Sequence, residues 1–163
     1  MERISKFEKV SERQYTEAVS SQADIYVSYD ALKLPQRATV GSAGYDFYST
    51  VGFTLKPGES IRIPTGIRAR ISEGWVLMIY PRSGLGFKYR LRLDNTVGII
   101  DSDYYYSDNE GHIYIKITNC SDDKTVNVNT GEAFAQGVFI PFGITEDDDV
   151  SALRNGGFGS TDK

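Results

Sequence analysis

Short runs rich in β-branched and aromatic residues recur along the chain between Gly, Pro and Asp turns, and this pattern constrains the fold most strongly. In residues 113–118 an isoleucine stands at every second position, beginning with Ile113. A period of two places alternate side chains on opposite faces of a strand, so one face of this strand is predicted to be buried. The other predicted strands span residues 26–29, 53–55, 60–63, 67–71, 75–80, 125–128 and 134–140.

Turn signals separate these runs, at residues 56–58, 72–74 and 129–131. Closely spaced turns join neighbouring strands in antiparallel order, whereas parallel strands need a long crossover between them. The predicted fold class is therefore all-β, an antiparallel jelly roll or β-sandwich. One short helix is predicted at residues 12–19, with Ser11 as its N-cap and the Gln14 side chain reaching back to the cap.

Composition and charge restrict the classes of partner. A chain of 163 residues is most simply one domain, and its net charge of −4 disfavours direct binding to nucleic acid, which needs clustered Lys and Arg. A single nucleotide is still permitted. No apolar run approaches the ~20 residues that cross a bilayer, and the N-terminus lacks a signal-peptide pattern. Because the one cysteine, Cys120, can form no internal disulfide, we expect a cytoplasmic protein without a membrane partner.

Two segments carry the residue types of a hydrolytic phosphate site. The turn at residues 81–86 contains Arg82, Ser83 and flexible glycines, so it can present a guanidinium, a hydroxyl and backbone N–H groups to phosphate oxygens. Asp101 follows an apolar run, which predicts a carboxylate at a strand end, placed to orient or deprotonate a water molecule. Taken singly, each pattern is more typical of an ordinary turn or cap.

Together with three further segments, these patterns resemble the five signature motifs of the homotrimeric dUTPases, in the same order along the chain. The resemblance extends over residues 31–161, and the matching segments are residues 43–49, 81–86, 95–104, 131–136 and 154–161. It implies a jelly roll of the dUTPase type that hydrolyses dUTP to dUMP and pyrophosphate. Such a reaction keeps uracil out of DNA and supplies dUMP for thymidylate synthesis. The resemblance also implies Mg²⁺ and a homotrimer in which neighbouring subunits build each site.

The same resemblance assigns the phosphate chemistry. Asp101 matches the base, and Ser83 matches the serine that donates to the oxygen between the α- and β-phosphates, where negative charge grows. The amides of Ser83 and Gly84 assist. Asp46 is expected to act on Mg²⁺ through water, because Mg²⁺ dehydrates reluctantly. The other substrate-binding residues implied are Arg82, whose guanidinium can reach phosphate oxygens, and Gln136 of the fourth motif.

The nucleoside contacts implied by the resemblance lie in a β-hairpin and the segments around it. The side chain of Asn95 and the hairpin backbone pair with the uracil edge, and Tyr104 packs under the deoxyribose, where it excludes a 2′-hydroxyl. A cytosine would leave buried polar groups mismatched, which is costly. The nucleoside set is Asn95, Gly98, Ile99, Ile100, Tyr104 and Tyr114.

The C-terminal tail is predicted to close over the ligand. By resemblance, Arg154 reaches the γ-phosphate, Phe158 stacks on the base, and Gly159 and Ser160 offer amides and a hydroxyl to the phosphate. The predicted division of the chain is an N-terminal extension with the short helix at residues 1–24, a dUTPase-like β domain at residues 25–145, and an acidic linker with a glycine-rich lid at residues 146–163.

Two alternatives remain open from the sequence. A dCTP deaminase of the same fold would need a glutamate in the strand after the third motif, and residues 113–117 contain no carboxylate. A nucleotide-binding trimer that regulates a protein partner would use the insertion at residues 105–110 or the N-terminal helix as its contact surface. His112 has no second histidine with which to form a metal set and is predicted to be structural.

Overall fold

The computed structural model describes residues 2–152 and 154. In this range the chain forms short strands with two helices and one 3₁₀ helix. The strands are β1 Ser5–Lys9, β2 Gln36–Arg37, β3 Tyr45–Tyr48, β4 Phe53–Leu55, β5 Ser60–Pro64, β6 Ile67–Ile71, β7 Trp75–Pro81, β8 Leu91–Leu93, β9 Gly98–Ile100, β10 Tyr114–Asn119, β11 Val126–Val128 and β12 Ala133–Pro141. The helices are α1 Glu12–Ser20, α2 Ser83–Tyr89 and the 3₁₀ helix Ser102–Tyr106.

Every strand pairing described is antiparallel, which confirms the predicted all-β class. The largest sheet has five strands in the order β2-β3-β12-β7-β9. A three-stranded sheet, β5-β10-β8, and two strand pairs, β1-β6 and β11-β4, complete the sandwich. No helix in the described part of the chain has the length and apolar character needed to span a membrane.

The core contains the alternating face predicted from the isoleucines. Ile113, Ile115 and Ile117 are each at most 1% exposed, whereas Lys116 between them faces solvent. Burying an isoleucine side chain contributes about 1.5–3 kcal/mol, so this face alone stabilises the sandwich substantially. Because β10 lies between β5 and β8, its register positions the segments that form the site.

Helix α1 begins where it was predicted, but its cap is built differently. The hydroxyl of Ser11 accepts from the Gln14 backbone N–H at 3.2 Å. The Gln14 side chain does not reach back; its amide lies 3.5 Å from His112 Nδ1. Instead, the backbone N–H of Ser11 donates to Glu110 Oε2 at 2.7 Å. The predicted reciprocal cap is therefore wrong, because a carboxylate distant in sequence satisfies the same orphan donor.

Two other local predictions are corrected by tertiary contacts. The predicted strand at residues 26–29 is a loop packed against α1, where the Tyr15 hydroxyl donates to the carbonyl of Val27 at 2.6 Å. The predicted turn after Pro81 is the beginning of helix α2, since the backbone N–H groups of Leu85 and Gly86 both donate to the carbonyl of Arg82 at 3.0 Å. Ser83 is therefore the first residue of a helix.

Candidate functional site

A cavity of about 530 Å³ lies between the β8–β9 hairpin and strand β10. This volume falls within the roughly 300–1,000 Å³ typical of small-molecule sites. The wall combines apolar strand residues with polar and charged side chains from the strands and the loops. Its lining residues are Arg62, Ile79, Leu93, Asp94, Asn95, Gly98, Ile100, Asn109, Tyr114, Ile115 and Lys116.

The apolar wall depends on the close approach of β9 to β7. Gly98 lies opposite Ile79 in the register of these strands. A Cβ atom on Gly98 would be 3.0 Å from the Cβ of Ile79, so only glycine permits this approach without displacement. Ile100 also lines the cavity, whereas the side chain of Ile99 is 44% exposed outside the lining. Ile99 can therefore contact a ligand in this cavity only through its backbone.

An ion pair anchors the hairpin turn to β10 at one end of the cavity. Lys116 Nζ lies 2.6 Å from Asp94 Oδ2, and the Thr118 hydroxyl donates to the other carboxylate oxygen. The hydrogen bonds from Lys116 and then Thr118 hold the pKa of Asp94 below its ordinary value. Asn95 follows Asp94 in this anchored turn, so its amide is presented to the cavity from a fixed backbone.

Tyr104 is hydrogen-bonded to the cavity residue Asn109. It is 2% exposed; its hydroxyl donates to the carbonyl of His112 at 2.7 Å and accepts from Asn109 Nδ2 at 2.8 Å. Burial raises the pKa of this hydroxyl, which keeps Tyr104 neutral. Tyr114 is half-buried on the cavity wall, with its ring 4.4 Å from that of His112.

His112 is fully buried and serves as a hydrogen-bond acceptor. The backbone N–H of Gly66 donates to His112 Nε2 at 2.8 Å. Burial lowers the pKa of His112 to about 4, so the imidazole is neutral at physiological pH. These contacts confirm the prediction that this histidine is structural.

Asp101, directly after β9, is in contact with the C-terminal part of the chain. Arg154 Nη2 donates to Asp101 Oδ2 at 2.6 Å, and Arg154 Nε donates to Asp103 Oδ1 at 2.9 Å. The guanidinium also lies 5.8 Å from the centre of the Tyr104 ring. The other predicted tail residues, Phe158, Gly159 and Ser160, lie outside the described residues.

The predicted phosphate-side residues form a second group on the large sheet. Arg82 Nη2 lies 3.6 Å from Asp46 Oδ2, and Gln136 is opposite Asp46 in the β12–β3 register. The Gln136 amide donates to the carbonyl of Pro81 at 3.2 Å, which holds it beside the beginning of α2. Ser83 and Gly84 are exposed there, with their backbone in the first turn of the helix.

One chain does not bring the two groups together. Leu77, near the beginning of β7, lies opposite Ile100, the last residue of β9, and Asp101 follows Ile100 directly. From Leu77 to the end of β7 at Pro81 the strand extends by roughly 13 Å at about 3.3 Å per residue, and Ser83 lies beyond that end. The predicted base and the predicted phosphate-binding serine of one chain are therefore at opposite ends of β7.

Asp46 offers a single carboxylate beside Arg82, so a metal ion there would take most of its ligands from water and phosphate. Among the described residues, no group of three or more His, Cys, Asp or Glu side chains could hold a metal ion. Asp46 offers one carboxylate, already 3.6 Å from a guanidinium nitrogen of Arg82. Mg²⁺ commonly binds in this way, through one or two carboxylates, phosphate oxygens and retained waters.

Seven cavity residues were not among the predicted site residues: the apolar Ile79, Leu93 and Ile115, and the polar or charged Arg62, Asp94, Asn109 and Lys116. The alternation along residues 113–118 could have identified Lys116, because it shares a strand face with Tyr114. Asn109 was hidden in the insertion at residues 105–110, where no periodic signal exists. Arg62 and Asp94 reach the cavity through the pairing of β5 and β8 with β10, which is not local in sequence.

Comparison with known proteins assigns most of the chain to one family. The dUTPase family model matches residues 30–162. Deoxyuridine 5′-triphosphate nucleotidohydrolase of Lactococcus lactis is 43% identical over 133 residues, which cover 80% of this chain and 88% of that protein. The enzyme of the same name from Paraburkholderia phytofirmans is 41% identical over 139 residues, covering 80% and 90% of the two chains.

Solved structures agree with this assignment. The crystal structure of dUTPase from Streptococcus mutans superposes with a TM-score of 0.66 at 35% identity, covering 86% of this chain and 98% of that chain. The dUTPase from phage phi11 of S. aureus superposes with a TM-score of 0.64 over 92% of this chain and 98% of its own. At 23% identity that likeness shows the fold alone; the phage protein is described as coordinating a structural Mg(II) ion.

Proposed function

The chain belongs to the dUTPase family, and we infer that it is a dUTP diphosphatase, which hydrolyses dUTP to dUMP and pyrophosphate. The observation that carries this assignment for the site is the cavity itself. It has the volume of a small-molecule site, the Asn95 amide in its lining, and strand β9 leading along its wall to the Asp101 carboxylate. A base at the turn and a phosphate at Asp101 would lie at opposite ends of the bound nucleotide.

Base recognition is assigned to the hairpin. The Asn95 side chain offers both a donor and an acceptor, and the backbone of Gly98, Ile99 and Ile100 can supply more. Uracil matches such a set through its carbonyl groups and its N–H. Cytosine presents a donor where uracil presents an acceptor, so a buried group would be left unpaired, which costs about 1–3 kcal/mol.

The chemical step is a displacement at the α-phosphorus. Asp101 accepts a proton from a water molecule, whose oxygen forms a bond to phosphorus while the bond to the bridging oxygen of the β-phosphate breaks. Pyrophosphate leaves with the electron pair of that bond. Ser83 donates to the bridging oxygen, and the amides of Ser83 and Gly84 add further donors where charge develops. Arg82 and Gln136 orient the phosphates from the same end of the sheet.

A homotrimer is the proposed assembly. Because Asp101 follows the strand end that lies opposite Leu77, whereas Ser83 lies beyond Pro81 at the other end of β7, one molecule alone does not bring both to the same phosphate. A neighbouring copy that brings its α2 to the Asp101 end would complete the site. Arg154 and the tail residues Phe158, Gly159 and Ser160 would then close over the triphosphate, and Tyr104 and Tyr114 would support the nucleoside.

Asp46 is the residue proposed to hold Mg²⁺ through water, next to Arg82. When bound, the ion would neutralise charge on the triphosphate oxygens. The proposed compartment is the cytoplasm, in keeping with the unpaired thiol of Cys120. The division into residues 1–24, 25–145 and 146–163, and a regulatory protein partner, stay predictions.

A pyrophosphate-release assay tests the assignment. Wild-type protein with Mg²⁺ should release pyrophosphate from dUTP and much less from dCTP, dTTP or UTP. Asp101→Asn should lose at least about a thousandfold in kcat, because the amide cannot accept the proton from water. Asp123→Asn, in an exposed turn before β11, is the matched control and should keep full activity.

The alternatives give different results in the same assay. Release of ammonia from dCTP would indicate a deaminase, and tight nucleotide binding without turnover would indicate a regulatory protein. Equal pyrophosphate release by wild type and Asp101→Asn would remove Asp101 from the role of base.

A further inference from the structure

Strand β1 and helix α1 precede residue 30, where the match to the dUTPase family begins. They are nevertheless an integral part of the fold. Strand β1 pairs with β6 over all five of its residues, and α1 buries Tyr15 and Val19 in the core at 0% exposure. This N-terminal arm, residues 5–20, therefore has a fixed position on the sandwich.

The N-terminal arm contacts the insertion on both sides of Asn109. On the N-terminal side, the Tyr105 hydroxyl donates to the carboxylate of Glu8 on β1. On the C-terminal side, Glu110 accepts from the backbone N–H of Ser11 at 2.7 Å and from its hydroxyl at 2.6 Å. Asn109 thus lies between two attachment points on the same arm.

Charged groups strengthen the attachment at Tyr105. The guanidinium of Arg68 on β6 lies 4.2 Å from the centre of the Tyr105 ring, and its Nη2 lies 3.9 Å from Glu8 Oε2. Lys6 Nζ donates to the other Glu8 oxygen at 2.8 Å. The hydrogen bonds from Lys6 and then Tyr105 hold the pKa of Glu8 below its ordinary value. Glu8 is therefore an ionised acceptor at neutral pH, and such acceptors form strong hydrogen bonds.

The backbone that follows Asn109 depends on the attachment at Glu110. Glu110 has a φ of 60°, and Gly111 has a φ of 69°. A residue other than glycine stays in the left-handed region only where its surroundings fix it there. The two bonds from Ser11 fix the Glu110 side chain, so their loss should allow the backbone of the insertion to relax.

Asn109 and Tyr114 connect these attachments to the cavity wall, which both residues line. Asn109 Nδ2 donates to the Tyr104 hydroxyl at 2.8 Å, and the Asn109 carbonyl accepts from the backbone N–H of His112 at 3.1 Å. The His112 ring lies 4.4 Å from that of Tyr114. The N-terminal arm reaches this pair of rings as well, since the Gln14 amide lies 3.5 Å from His112 Nδ1. The arm therefore determines where one part of the cavity wall lies.

We propose that Glu8 and Ser11 are positioning residues for the nucleotide site, which hold the insertion in its ligand-binding arrangement before the nucleotide arrives. This inference deepens the proposed function and rests on it. Neither residue lines the cavity, so both act through the insertion. When a site is ordered in only a fraction of the molecules, the apparent Kd equals the intrinsic Kd divided by that fraction. Loss of the attachments should therefore raise Kd and KM and leave kcat nearly unchanged.

The test uses two substitutions, each of which breaks one attachment. Tyr105→Phe removes the hydroxyl that donates to Glu8 and keeps the ring beside Arg68. Ser11→Asp keeps a side chain that caps helices well but places a second carboxylate beside Glu110, which repels it. In the double variant, the calorimetric Kd for dUMP and the KM for dUTP should both rise by about 5- to 10-fold, while kcat changes by less than about twofold.

Two matched controls carry the same chemical changes at exposed positions nearby. Tyr106→Phe alters the next tyrosine of the insertion, and Thr16→Asp adds a carboxylate to α1. Both should keep the wild-type Kd and KM. Hydrogen exchange gives a readout without turnover. The backbone N–H groups of residues 107–112 should exchange faster in the free double variant than in free wild type, and saturating dUMP should restore slow exchange.

An unchanged Kd and KM in the folded double variant overturns the proposal, even where exchange is faster, because the attachments then only stabilise the fold. If circular dichroism shows that the double variant is unfolded, Tyr105→Phe alone decides: a raised Kd supports the proposal and an unchanged Kd overturns it. A wild type that binds dUMP without hydrolysing dUTP refutes the proposed function, and the Kd comparison still decides the role of Glu8 and Ser11. A wild type that does neither refutes both.

Discussion

Arg154 donates to Asp101 at 2.6 Å within the same chain, so the guanidinium of the tail occupies one oxygen of the proposed base. Arg154 is 16% exposed and Asp101 is 48% exposed, which places the pair at the edge of the site. Arg154 also donates to Asp103 at 2.9 Å, so its guanidinium binds two carboxylates. Phosphate oxygens would compete for the same guanidinium, because Arg binds phosphate and carboxylate with similar geometry.

Replacing the Arg154 guanidinium should lower the catalytic efficiency with dUTP. Arg154→Ala is expected to lower kcat/KM by about 10- to 100-fold, chiefly by raising KM, since a charge-assisted contact to the triphosphate is lost. Arg154→Lys should recover part of the loss, because it keeps the charge without the planar fork. Steady-state kinetics with Arg13→Ala, an exposed arginine of α1, as control would check this. Equal kcat/KM in all four proteins would place Arg154 outside the site.

Gly98→Ala should destabilise the fold and narrow the cavity. The new Cβ would lie 3.0 Å from the Cβ of Ile79, within a strand pair that cannot separate freely. Overpacking of this kind costs about 1–3 kcal/mol. Urea unfolding measures the loss, and Gly41→Ala serves as control because a Cβ at that position would have no neighbouring atom within 4 Å. Equal stability of the two variants would contradict the close β7–β9 approach.

Stability should depend on the protonation of His112. Burial lowers the pKa of His112 in the folded state to about 4 from an ordinary 6.5; nearby Glu110 opposes the shift and Arg62 adds to it. Between these values the unfolded chain binds more protons than the folded one, so stability falls as pH drops from 6.5 towards 4. The loss between pH 7 and pH 5 should be about 2 kcal/mol at 1.36 kcal/mol per pH unit.

Unfolding in urea at pH 7 and pH 5 checks this expectation directly. His112 is the chain's one histidine, so no other imidazole contributes to the difference. His112→Gln keeps a hydrogen-bonding group and should be less stable at pH 7 but should lose most of the pH dependence in this window. A variant with the same pH dependence as wild type would show that another group titrates.

Glu110→Ala should destabilise both the N-terminal cap of helix α1 and the insertion at residues 105–110. Glu110 accepts two hydrogen bonds from Ser11, and these bonds, the side-chain one first, hold the pKa of Glu110 below its ordinary value. Loss of such charge-assisted bonds costs about 1.5–3 kcal/mol. Thermal unfolding of Glu110→Ala, Ser11→Ala and the double variant should show non-additive losses. Glu17→Ala, exposed on α1, should change stability by less than about 0.5 kcal/mol.

Elements that depend on nearest neighbours along the chain were predictable. The alternation at residues 113–118 led to β10, and the Ser11 cap led to the beginning of α1, because a period of two and an N-cap are properties of adjacent residues. The strand predicted at residues 26–29 failed for the opposite reason. The tyrosines and the valine of this segment pack on α1. Its backbone groups form hydrogen bonds with residues distant in the sequence instead of with a neighbouring strand.

By itself, the sequence determined the all-β class, the positions of most long strands, and the family whose motifs it carries, since these follow from local periodicity and short patterns of residue types. Only the tertiary structure decided that Asp101 and Ser83 lie towards opposite ends of β7, that Glu110 caps α1, and that Asn109 donates to the Tyr104 hydroxyl. Each of these depends on strand register or on contacts between segments far apart in the chain. Such pairing is chosen by the whole packed core, and no local pattern of residues encodes it.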